Sequence, residues 1–334
     1  MPKVLITGSA GFIGFHLALR LLQDGHEVCG IDNLDSYYDV SLKKRRLGII
    51  NESLVRNNNS NHQFFEVDLS NQKELSKLFK KFDFDYIINL AAQAGVRHSI
   101  INPYSFNESN LLGFLNLLEC CKDSNIKHLI YASSSSVYGM NSSIPFKEGD
   151  NTDKPVSFYA ATKKANELMA YCYSHLNEMP VTGLRFFTVY GPYGRPDMAY
   201  FSFTKSILEG SKIEVYNNGE MQRDFTYIDD IIESIRLLIP IIPEQEKKLH
   251  TNAISNIFNI GNNEVIPMKR FIKAIENACG KKAIIEYLPM QPGDVVCTYS
   301  DITNLQDVIN FSPETSIEDG INKFVTWYKE FYKI

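Results

Sequence analysis

The stretch VLITGSAGFIG, residues 4–14, is the part of the sequence that decides the fold. Four residues suited to a buried strand come first, and Gly8, Gly11 and Gly14 follow at three-residue spacing before a helical pattern begins. In this context the first glycine allows a tight turn, the second lets backbone N–H groups approach a pyrophosphate, and the third lets the helix pack on its strand. The stretch therefore predicts a dinucleotide-binding loop, in which Phe12 and Ile13 open a helix whose N-terminus favours phosphate.

An acidic residue ends the next predicted strand. Asp32 lies about 18 residues beyond Gly14, where a carboxylate accepts hydrogen bonds from both hydroxyls of the adenosine ribose. The same carboxylate would repel a 2′-phosphate, and Ser9 and Asn33 stand where a site for NADP usually places arginine or lysine. The pattern favours NAD over NADP.

Short apolar runs alternate with amphipathic stretches through the first half of the chain, which indicates parallel strands joined by crossover helices. The predicted strands are residues 4–7, 27–31, 63–67, 86–89, 129–133 and 181–186. The predicted helices, with apolar residues three and four apart, are residues 14–23, 71–81, 106–121 and 158–176. We predict an α/β fold, a doubly wound parallel sheet of the Rossmann type, with a smaller, mixed α/β substrate-binding region.

The second half of the chain has more turn residues. After Phe187 the sequence is punctuated by glycine and proline, although 228–238 has the pattern of a core-facing helix and 257–260 that of a buried strand. We predict an NAD-binding domain over 1–187, completed by about 226–262, and a substrate domain over 188–334 that is interleaved with it. The polar tract 57–61 predicts a surface excursion.

Charge and composition exclude several classes of protein. The 34 lysines and arginines against 39 acidic residues give a net charge of -5, so the chain lacks the excess of positive charge that nucleic acid requires. No apolar run reaches the roughly 18 residues of a membrane helix, and we find no signal peptide. The six cysteines form neither a CxxC pair nor a Cys/His metal spacing, so we predict reduced thiols and no metal site. We expect a cytoplasmic protein.

A Ser/Tyr/Lys set points to proton transfer. Ser134 lies in a run of four serines that ends a predicted strand, and Tyr159 and Lys163 stand four residues apart on a predicted helix, hence on one face. An ammonium beside a phenol favours the phenolate and lowers its pKa, as a general acid/base needs. A serine hydroxyl can orient the oxygen of a substrate.

These motifs together resemble the extended short-chain dehydrogenase/reductase superfamily, over nearly the whole chain. Further positions that match are Asp68, Leu69, Leu90, Ala91, Ala92, Gln93, Asn110, Arg223, Asp224, Phe225, Asp229 and Asp230. The cofactor-binding residues that the resemblance implies are Gly8, Gly11, Phe12, Ile13, Gly14, Asp32, Asn33, Asp68, Leu69, Leu90, Ala91, Ala92, Gln93, Asn110, Tyr159 and Lys163. In this family NAD usually stays bound as a transient oxidant of a sugar nucleotide, and the keto sugar is then epimerised, dehydrated or decarboxylated.

The residues before Val137 distinguish these fates. Related dehydratases carry Asp-Glu or Ser-Glu there and uronate decarboxylases carry Glu, whereas this chain has Ser135 and Ser136. Without that carboxylate the resemblance favours epimerisation, although another side chain could supply an acid. The stretches 155–159 and 184–198 look most like those of UDP-glucuronate 4-epimerases. That likeness implies oxidation at C4, rotation of the 4-keto sugar and return of the hydride.

The same likeness gives the substrate residues. Hydroxyls and an arginine suit a sugar carboxylate, which acids at the same positions would repel. The implied substrate-binding residues are Arg97, Ser134, Ser135, Ser136, Thr188, Arg195, Arg223 and Asp294, with the two arginines Arg97 and Arg223 for the nucleotide phosphates. The alternatives are a 4-epimerase of neutral UDP-sugars and a non-catalytic NAD-binding relative. In relatives, the helices at 106–121 and 158–176 form a four-helix bundle, so we expect a homodimer.

Overall fold

The structure is a computed structural model that describes residues 1–56, 61–244, 252–291 and 293–334. The polar tract 57–61 falls almost wholly outside these residues. By internal packing the chain divides into two compact units. The first comprises Met1–Gly139, Asn151–Arg185 and Ile235–Phe258, and the second Met140–Asp150, Phe186–Ser234 and Asn259–Ile334. The domain limits 1–187 and 188–334 stay a prediction.

The strands and helices of the described residues are numbered in chain order. The strands are β1 Lys3–Thr7, β2 Glu27–Asp32, β3 His62–Glu66, β4 Tyr86–Asn89, β5 His128–Ser134, β6 Val181–Phe186, β7 Thr188–Tyr190, β8 Lys212–Val215, β9 Gln222–Arg223, β10 Phe225–Tyr227, β11 Ser255–Ile260, β12 Ile266–Pro267 and β13 Ile284–Tyr287. The helices are α1 Phe12–Gln23, α2 Val40–Arg56, α3 Gln72–Lys81, α4 Val96–Ile101, α5 Pro103–Phe106, α6 Gly113–Lys122, α7 Phe158–Asn177, α8 Ala199–Glu209, α9 Ile228–Leu238, α10 Met268–Cys279, α11 Thr303–Ile309 and α12 Ile317–Tyr332.

A seven-stranded sheet organises the first unit, in the order β11-β6-β5-β4-β1-β2-β3. The register pairs Thr7 with Asn89 on one side and with Ile31 on the other, in parallel. Four of the five residues of β1 are buried, as expected of a parallel strand covered on both faces. The order reverses at β1, so the carboxyl ends of β1 and β4 flank the point where doubly wound sheets bind ligands. The predicted α/β fold is confirmed.

Helices pack their apolar sides onto this sheet. In α1 the buried residues recur at three- and four-residue intervals, including Phe15, Ala18 and Leu22. On the side of α3 and α6, the core is built from strand and helix residues. Its fully buried members include Leu5, Leu75, Ile87, Leu117, Leu118, Leu129, Ala170 and Val181. No helix in the described part of the chain is long and apolar enough to cross a membrane.

The single helix predicted over 106–121 is wrong in detail. The chain forms a π-helix over Asn107–Leu112, and the α-helix α6 begins only at Gly113. Such π turns are rare and are frequently found at functional sites. Here the π turn carries Asn110, whose buried side chain is fully occupied by hydrogen bonds.

The second unit is built around α8, α10 and α12, with short two-stranded sheets. Its core is rich in aromatic rings: Phe225 stacks on Phe271 with centroids 4.4 Å apart, and Tyr200 meets Phe324 edge-on at 4.9 Å. Such pairs add to the burial of their apolar area. This packing holds β7, β9 and β10 in place, and these strands carry Thr188 and Arg223.

Candidate functional site

The glycine loop has the geometry of a phosphate cradle. Gly8 has φ +69, a conformation that favours glycine, and a Cβ there would lie 2.8 Å from the backbone nitrogen of Ala91. At Gly14 a Cβ would collide with the carbonyl oxygen of Gly8. Gly11 precedes α1 without any side-chain cap, so the first N–H groups of the helix, from Phe12 onward, are left for an external anion. The loop fits the pyrophosphate of a dinucleotide.

Asp32 lies at the end of β2, as predicted, and is 6% exposed. Its carboxylate accepts hydrogen bonds from the backbone nitrogens of Leu34, at 2.8 Å, and Ala10, at 3.2 Å. Lys43 from α2 lies 3.5 Å from it, a cation that the sequence analysis did not place there. The positive charge of Lys43 is paired with the carboxylate of Asp32. This carboxylate accepts hydrogen bonds from ribose hydroxyls well, so the site still fits NAD.

The predicted cofactor-binding residues Asn33, Asp68 and Leu69 belong to a network of hydrogen bonds. Asn33 donates to the carboxylate of Asp68 at 2.7 Å, and Ser70 donates to the same carboxylate through its backbone and its hydroxyl. Burial opposes ionisation, but these hydrogen bonds hold the pKa of Asp68 below its usual value. Leu69 is buried, and its carbonyl accepts from Asn116. The carboxyl ends of β2 and the loop after β3 are thus fixed to each other.

The loop after β4, which contains Leu90, Ala91, Ala92 and Gln93, is anchored to β1 and to the π-helix. The backbone nitrogens of Leu90 and Ala91 donate to the carbonyl and the hydroxyl of Thr7. Gln93 and Asn110 form a two-way bridge, because the Asn110 amide accepts from the Gln93 nitrogen at 2.9 Å and donates to its carbonyl at 3.0 Å. The loop is therefore held at the carboxyl end of the sheet.

Asn110 also reaches the helix that carries the candidate acid/base. Its Nδ2 donates to the hydroxyl of Thr162 at 3.0 Å, and this hydroxyl donates to the carbonyl of Tyr159 at 2.8 Å. Asn166, one turn further along α7, donates to the Asn110 carbonyl at 2.7 Å. Sequence reasoning missed Thr162 and Asn166, since a Thr and an Asn within a helical pattern give no signal of their partners.

Tyr159 and Lys163 lie on successive turns at the start of α7. Ser157 caps this helix by accepting from the Ala160 nitrogen at 3.1 Å. Tyr159 is half-buried, with its ring edge-on to Phe106. Lys163 is 3% exposed, and burial lowers the pKa of its ammonium to about 8. The pair therefore offers a phenol beside an amine that titrates close to neutral pH.

The serine run ends β5. Lys163 donates to the carbonyl of Ala132 at 2.9 Å, which ties α7 to the strand two residues before Ser134. Ser134 is 7% exposed, and its hydroxyl accepts from the backbone nitrogen of Ser136 at 3.2 Å, opening a 3-10 helix over Ser135–Tyr138. Ser135 and Ser136 are half-buried. The structure thus joins the serine run to the Tyr/Lys helix, as the proposed chemistry requires.

The other predicted substrate residues fall in both units. Arg97 lies exposed on α4 of the first unit. In the second unit Thr188 begins β7, and its backbone nitrogen donates to the Asp224 carbonyl at 3.1 Å. Arg223, next to Asp224, donates to the carbonyls of Gln222 and Val296. Asp294 is half-buried, in a turn where its nitrogen donates to Gln291.

Asp224 fixes the segment that carries Arg223. Its fully buried carboxylate accepts from the hydroxyl and nitrogen of Ser300 and from the nitrogen of Asn262. Burial raises the pKa of Asp224 to about 6, and these hydrogen bonds oppose the rise. Asp224 is one of the positions that match the superfamily. In the structure its hydrogen bonds hold β9 and β10 against the loops at 262 and 300.

Arg195 has a carboxylate partner that the sequence analysis did not foresee. Its guanidinium pairs side by side with Asp197, with Nε 3.0 Å from Oδ1 and Nη2 2.6 Å from Oδ2. Its backbone nitrogen donates to the hydroxyl of Tyr200. Both charged side chains remain about a quarter exposed. Arg195 is thus positioned by its own loop, with its charge shared with Asp197.

The comparisons with known proteins agree with this geometry. Residues 4–261 match the model of the NAD dependent epimerase/dehydratase family. The chain is 52% identical to Protein CapI of Staphylococcus aureus over 99% of both chains. It is 44% identical to a probable UDP-glucuronate 4-epimerase of Rhizobium meliloti, over 99% of this chain and 98% of that one.

Among solved structures, UDP-glucuronic acid 4-epimerase of Bacillus cereus, in complex with UDP-glucuronic acid and NAD, is 34% identical. The match covers 99% of this chain and all of that one, with a TM-score of 0.88. The loop, Asp32 and the Ser/Tyr/Lys set occupy the matched region of the family model. The chain belongs to the NAD-dependent epimerase/dehydratase family.

Proposed function

We propose that this protein interconverts UDP-glucuronate and UDP-galacturonate by transient oxidation at C4, rotation of the 4-keto sugar and return of the hydride. The observation that carries the proposal is the run of hydroxyls at Ser134, Ser135 and Ser136, tied to the helix of Tyr159 and Lys163, in a family that uses NAD. The relatives named for UDP-glucuronate 4-epimerase activity support the choice of substrate.

The side chains divide the work of the oxidation step. Bound NAD supplies the hydride acceptor. Tyr159 takes the proton of the sugar 4-hydroxyl and later returns it, and the Lys163 ammonium stabilises the phenolate. Ser134 donates to the same sugar oxygen and holds it in line. In the reverse half of the reaction these groups exchange the same proton, so the protein ends each turnover unchanged.

The carboxylate of the sugar needs hydrogen-bond donors around it and no acidic side chains. Ser135, Ser136 and Thr188 offer hydroxyls, and Arg195 offers a guanidinium. Arg97 and Arg223 are proposed for the nucleotide phosphates, and Asp294 for the nucleotide. A carboxylate held firmly also resists decarboxylation of the 4-keto sugar, because the bond that would break is kept out of alignment with the carbonyl π system. We propose in turn that residues 1–187, completed by about 226–262, bind NAD and that 188–334 supply the substrate domain.

The test is a product assay on a panel of UDP-sugars. Purified protein incubated with UDP-glucuronate should form UDP-galacturonate, resolved by chromatography, and the reverse reaction should reach the same ratio. UDP-glucose and UDP-N-acetylglucosamine serve as neutral controls. Conversion of UDP-glucose alone would reject the uronate assignment, and no conversion of any sugar would favour a non-catalytic NAD-binding protein.

Arg195 distinguishes acidic from neutral sugars. We expect Arg195→Ala to raise the KM for UDP-glucuronate about 10-fold, since a charge-assisted hydrogen bond contributes about 1.5–3 kcal/mol and Asp197 already shares this one. The KM for any neutral UDP-sugar that is turned over should change less than about twofold. Steady-state kinetics on both substrates measures the contrast.

Asp197→Asn is the matched variant. It leaves Arg195 in place and removes the carboxylate that competes for it, so the KM for UDP-glucuronate should fall. An equal rise of KM for acidic and neutral sugars in Arg195→Ala would show that this arginine does not read the carboxylate.

We further propose a homodimer formed through α6, α7 and the π-helix before α6. Large apolar side chains stand exposed along these helices, although isolated exposed apolar residues are ordinary. They are Leu112, Leu115, Leu168, Tyr171 and Leu176. Pairing the same face of two copies gives a helix bundle with two-fold symmetry, which is the commonest symmetry of homo-oligomers.

Leu168 is the most informative position on this face, because its side chain is 61% exposed and a substitution there should leave the hydrophobic core intact. Light scattering should give the mass of a dimer for the wild type and of a monomer for Leu168→Glu. The thermal midpoint of Leu168→Glu, followed by its secondary structure, should change little. A stable wild-type monomer, or a dimer that Leu168→Glu leaves intact, would contradict the proposed interface.

We also propose a cytoplasmic location and a role in polysaccharide biosynthesis, without a nucleic-acid or membrane partner. All six cysteines are free thiols, as a reducing compartment would keep them. The net charge of -5 opposes nucleic-acid binding.

A further inference from the structure

Two consecutive turns of α7 hold the last residues of β5. Lys163 donates to the carbonyl of Ala132, and Glu167, one turn further, accepts a hydrogen bond from the hydroxyl of Ser133 at 2.6 Å. Tyr159, Lys163 and Glu167 stand four residues apart and so share one face of the helix. The strand is thus fixed to that face at the two residues before Ser134.

The carboxylate of Glu167 has a second, stronger partner. Arg185 of β6 pairs with it through two parallel hydrogen bonds, Nε to Oε1 at 2.8 Å and Nη2 to Oε2 at 2.9 Å. This two-point geometry fixes orientation as well as distance. Both side chains are nearly inaccessible, at 3% and 2% exposed, so the pair is a buried ion pair. The cost of desolvating two charges can exceed their attraction, so such a pair is weak evidence for a contribution to stability.

Arg185 connects this ion pair to the far end of the serine run. Its Nη1 donates to the hydroxyl of Tyr138 at 3.0 Å, and its guanidinium lies over the Tyr138 ring, 4.9 Å from the centroid. Tyr138 ends the 3-10 helix that begins at Ser135. One ion pair therefore holds both ends of the segment 133–138: Ser133 through Glu167 and Tyr138 through Arg185.

Ser134, Ser135 and Ser136 lie between these two anchors. Their hydroxyls depend on the backbone path of a short turn, within which the Ser136 nitrogen donates to the Ser134 hydroxyl at 3.2 Å. A turn held only at its strand end could shift its tip. A turn held at both ends cannot move without breaking one of its hydrogen bonds to the buried ion pair, from Ser133 to Glu167 or from Arg185 to Tyr138.

We propose that Glu167 and Arg185 are positioning residues, which set the serine run against Tyr159 and Lys163 through Ser133 and Tyr138. The inference rests on the proposed function, in which the serines contact the sugar. It predicts that loosening either anchor lowers kcat, because a misplacement of about 1 Å in a reacting geometry can cost about 100-fold. Binding of UDP-sugar and NAD should change little, since neither positioning residue touches them.

The experiment uses two mild variants that keep the ion pair intact. Ser133→Ala removes the first anchor, and Tyr138→Phe removes the hydroxyl of the second while keeping its ring. Ser174→Ala is the matched control, because Ser174 carries a buried hydroxyl, as Ser133 does, but lies on α7 and accepts from the Ile254 nitrogen away from the serine run. In full-length protein with NAD, we measure kcat, KM and the thermal midpoint for each.

We expect kcat to fall about 10-fold or more in each anchor variant, with KM for UDP-glucuronate within about threefold of the wild type. Ser174→Ala should keep its kcat while losing as much thermal stability as Ser133→Ala. Amide hydrogen exchange, which needs no turnover, should show faster exchange over 134–138 in the anchor variants only.

Two results with the anchor variants would overturn the inference alone. Unchanged exchange over 134–138 would show that the anchors do not hold the turn, and faster exchange with unchanged kcat would show that the hold is irrelevant to the reaction. If the wild type epimerises a different UDP-sugar, only the proposed substrate is rejected. The anchor variants are then compared with the wild type in kcat for that sugar, and this comparison tests the inference. A wild type without activity on any UDP-sugar would overturn both.

Discussion

Replacing Tyr159 by phenylalanine should lower kcat for UDP-glucuronate about 1,000-fold while NAD remains bound. The variant loses only a hydroxyl, since the ring keeps its edge-on contact with Phe106 and the helix keeps its cap at Ser157. General acid/base groups contribute about 100- to 10,000-fold to a rate. The C4 carbon cannot give up hydride to form the keto sugar unless the proton of the 4-hydroxyl leaves as well, and Tyr159 is the group assigned to take that proton.

The control is Tyr173→Phe on the same helix. Tyr173 donates to Glu119 and lies away from the Ser/Tyr/Lys set, so its variant should keep kcat within about twofold. Bound NAD is measured after heat release from each purified protein, and the two variants should match the wild type. Undiminished turnover in Tyr159→Phe would reject the catalytic assignment, and loss of NAD would show that the hydroxyl serves cofactor binding instead.

The parts of the site that the sequence could predict are those whose geometry is local. The loop of Gly8, Gly11 and Gly14 is written in seven consecutive residues, and a four-residue spacing suffices to place Tyr159 and Lys163 on one face. Strand positions were close as well: β4 and β6 have the predicted limits and β2 extends one residue further, to Asp32. Alternation of buried strands and amphipathic helices leaves few topologies to choose from.

What could not be predicted depends on partners distant in sequence. Helix α2 was missed because its 17 residues are mostly polar, and so was the approach of Lys43 to Asp32. The ion pair of Glu167 and Arg185 joins a helix to a strand, and the likeness of the stretch 184–198 to known epimerases does not show which residue Arg185 contacts. The π-helix is another case, because periodicity cannot show the wider turn that brings Asn110 to Gln93.

Replacing Lys163 by methionine should lower kcat about 100-fold at neutral pH and move the pH dependence of the reaction. Lys163 is buried, and its pKa of about 8 lies below the usual value for lysine, so the ammonium loses its charge as the pH rises through about 8. The charged form is the one that favours the Tyr159 phenolate. The wild-type kcat/KM should therefore fall above about pH 8 as Lys163 loses its charge. In the variant this fall should disappear.

A measurement of the stability of Lys163→Met should separate the effect on the rate from unfolding of the variant. Methionine removes the cost of burying an ammonium but leaves the Ala132 carbonyl without its donor, and these changes oppose each other. The matched control is Lys329→Met in the second unit, because Lys329 also donates to a backbone carbonyl, that of Ala278, at 3.0 Å. It should keep both the rate and the fall of kcat/KM above about pH 8. A Lys163→Met profile that still falls above about pH 8 would mean that the ammonium does not act on Tyr159, and the loss of rate would then be assigned to the displaced β5 carbonyl and the serine run that follows it.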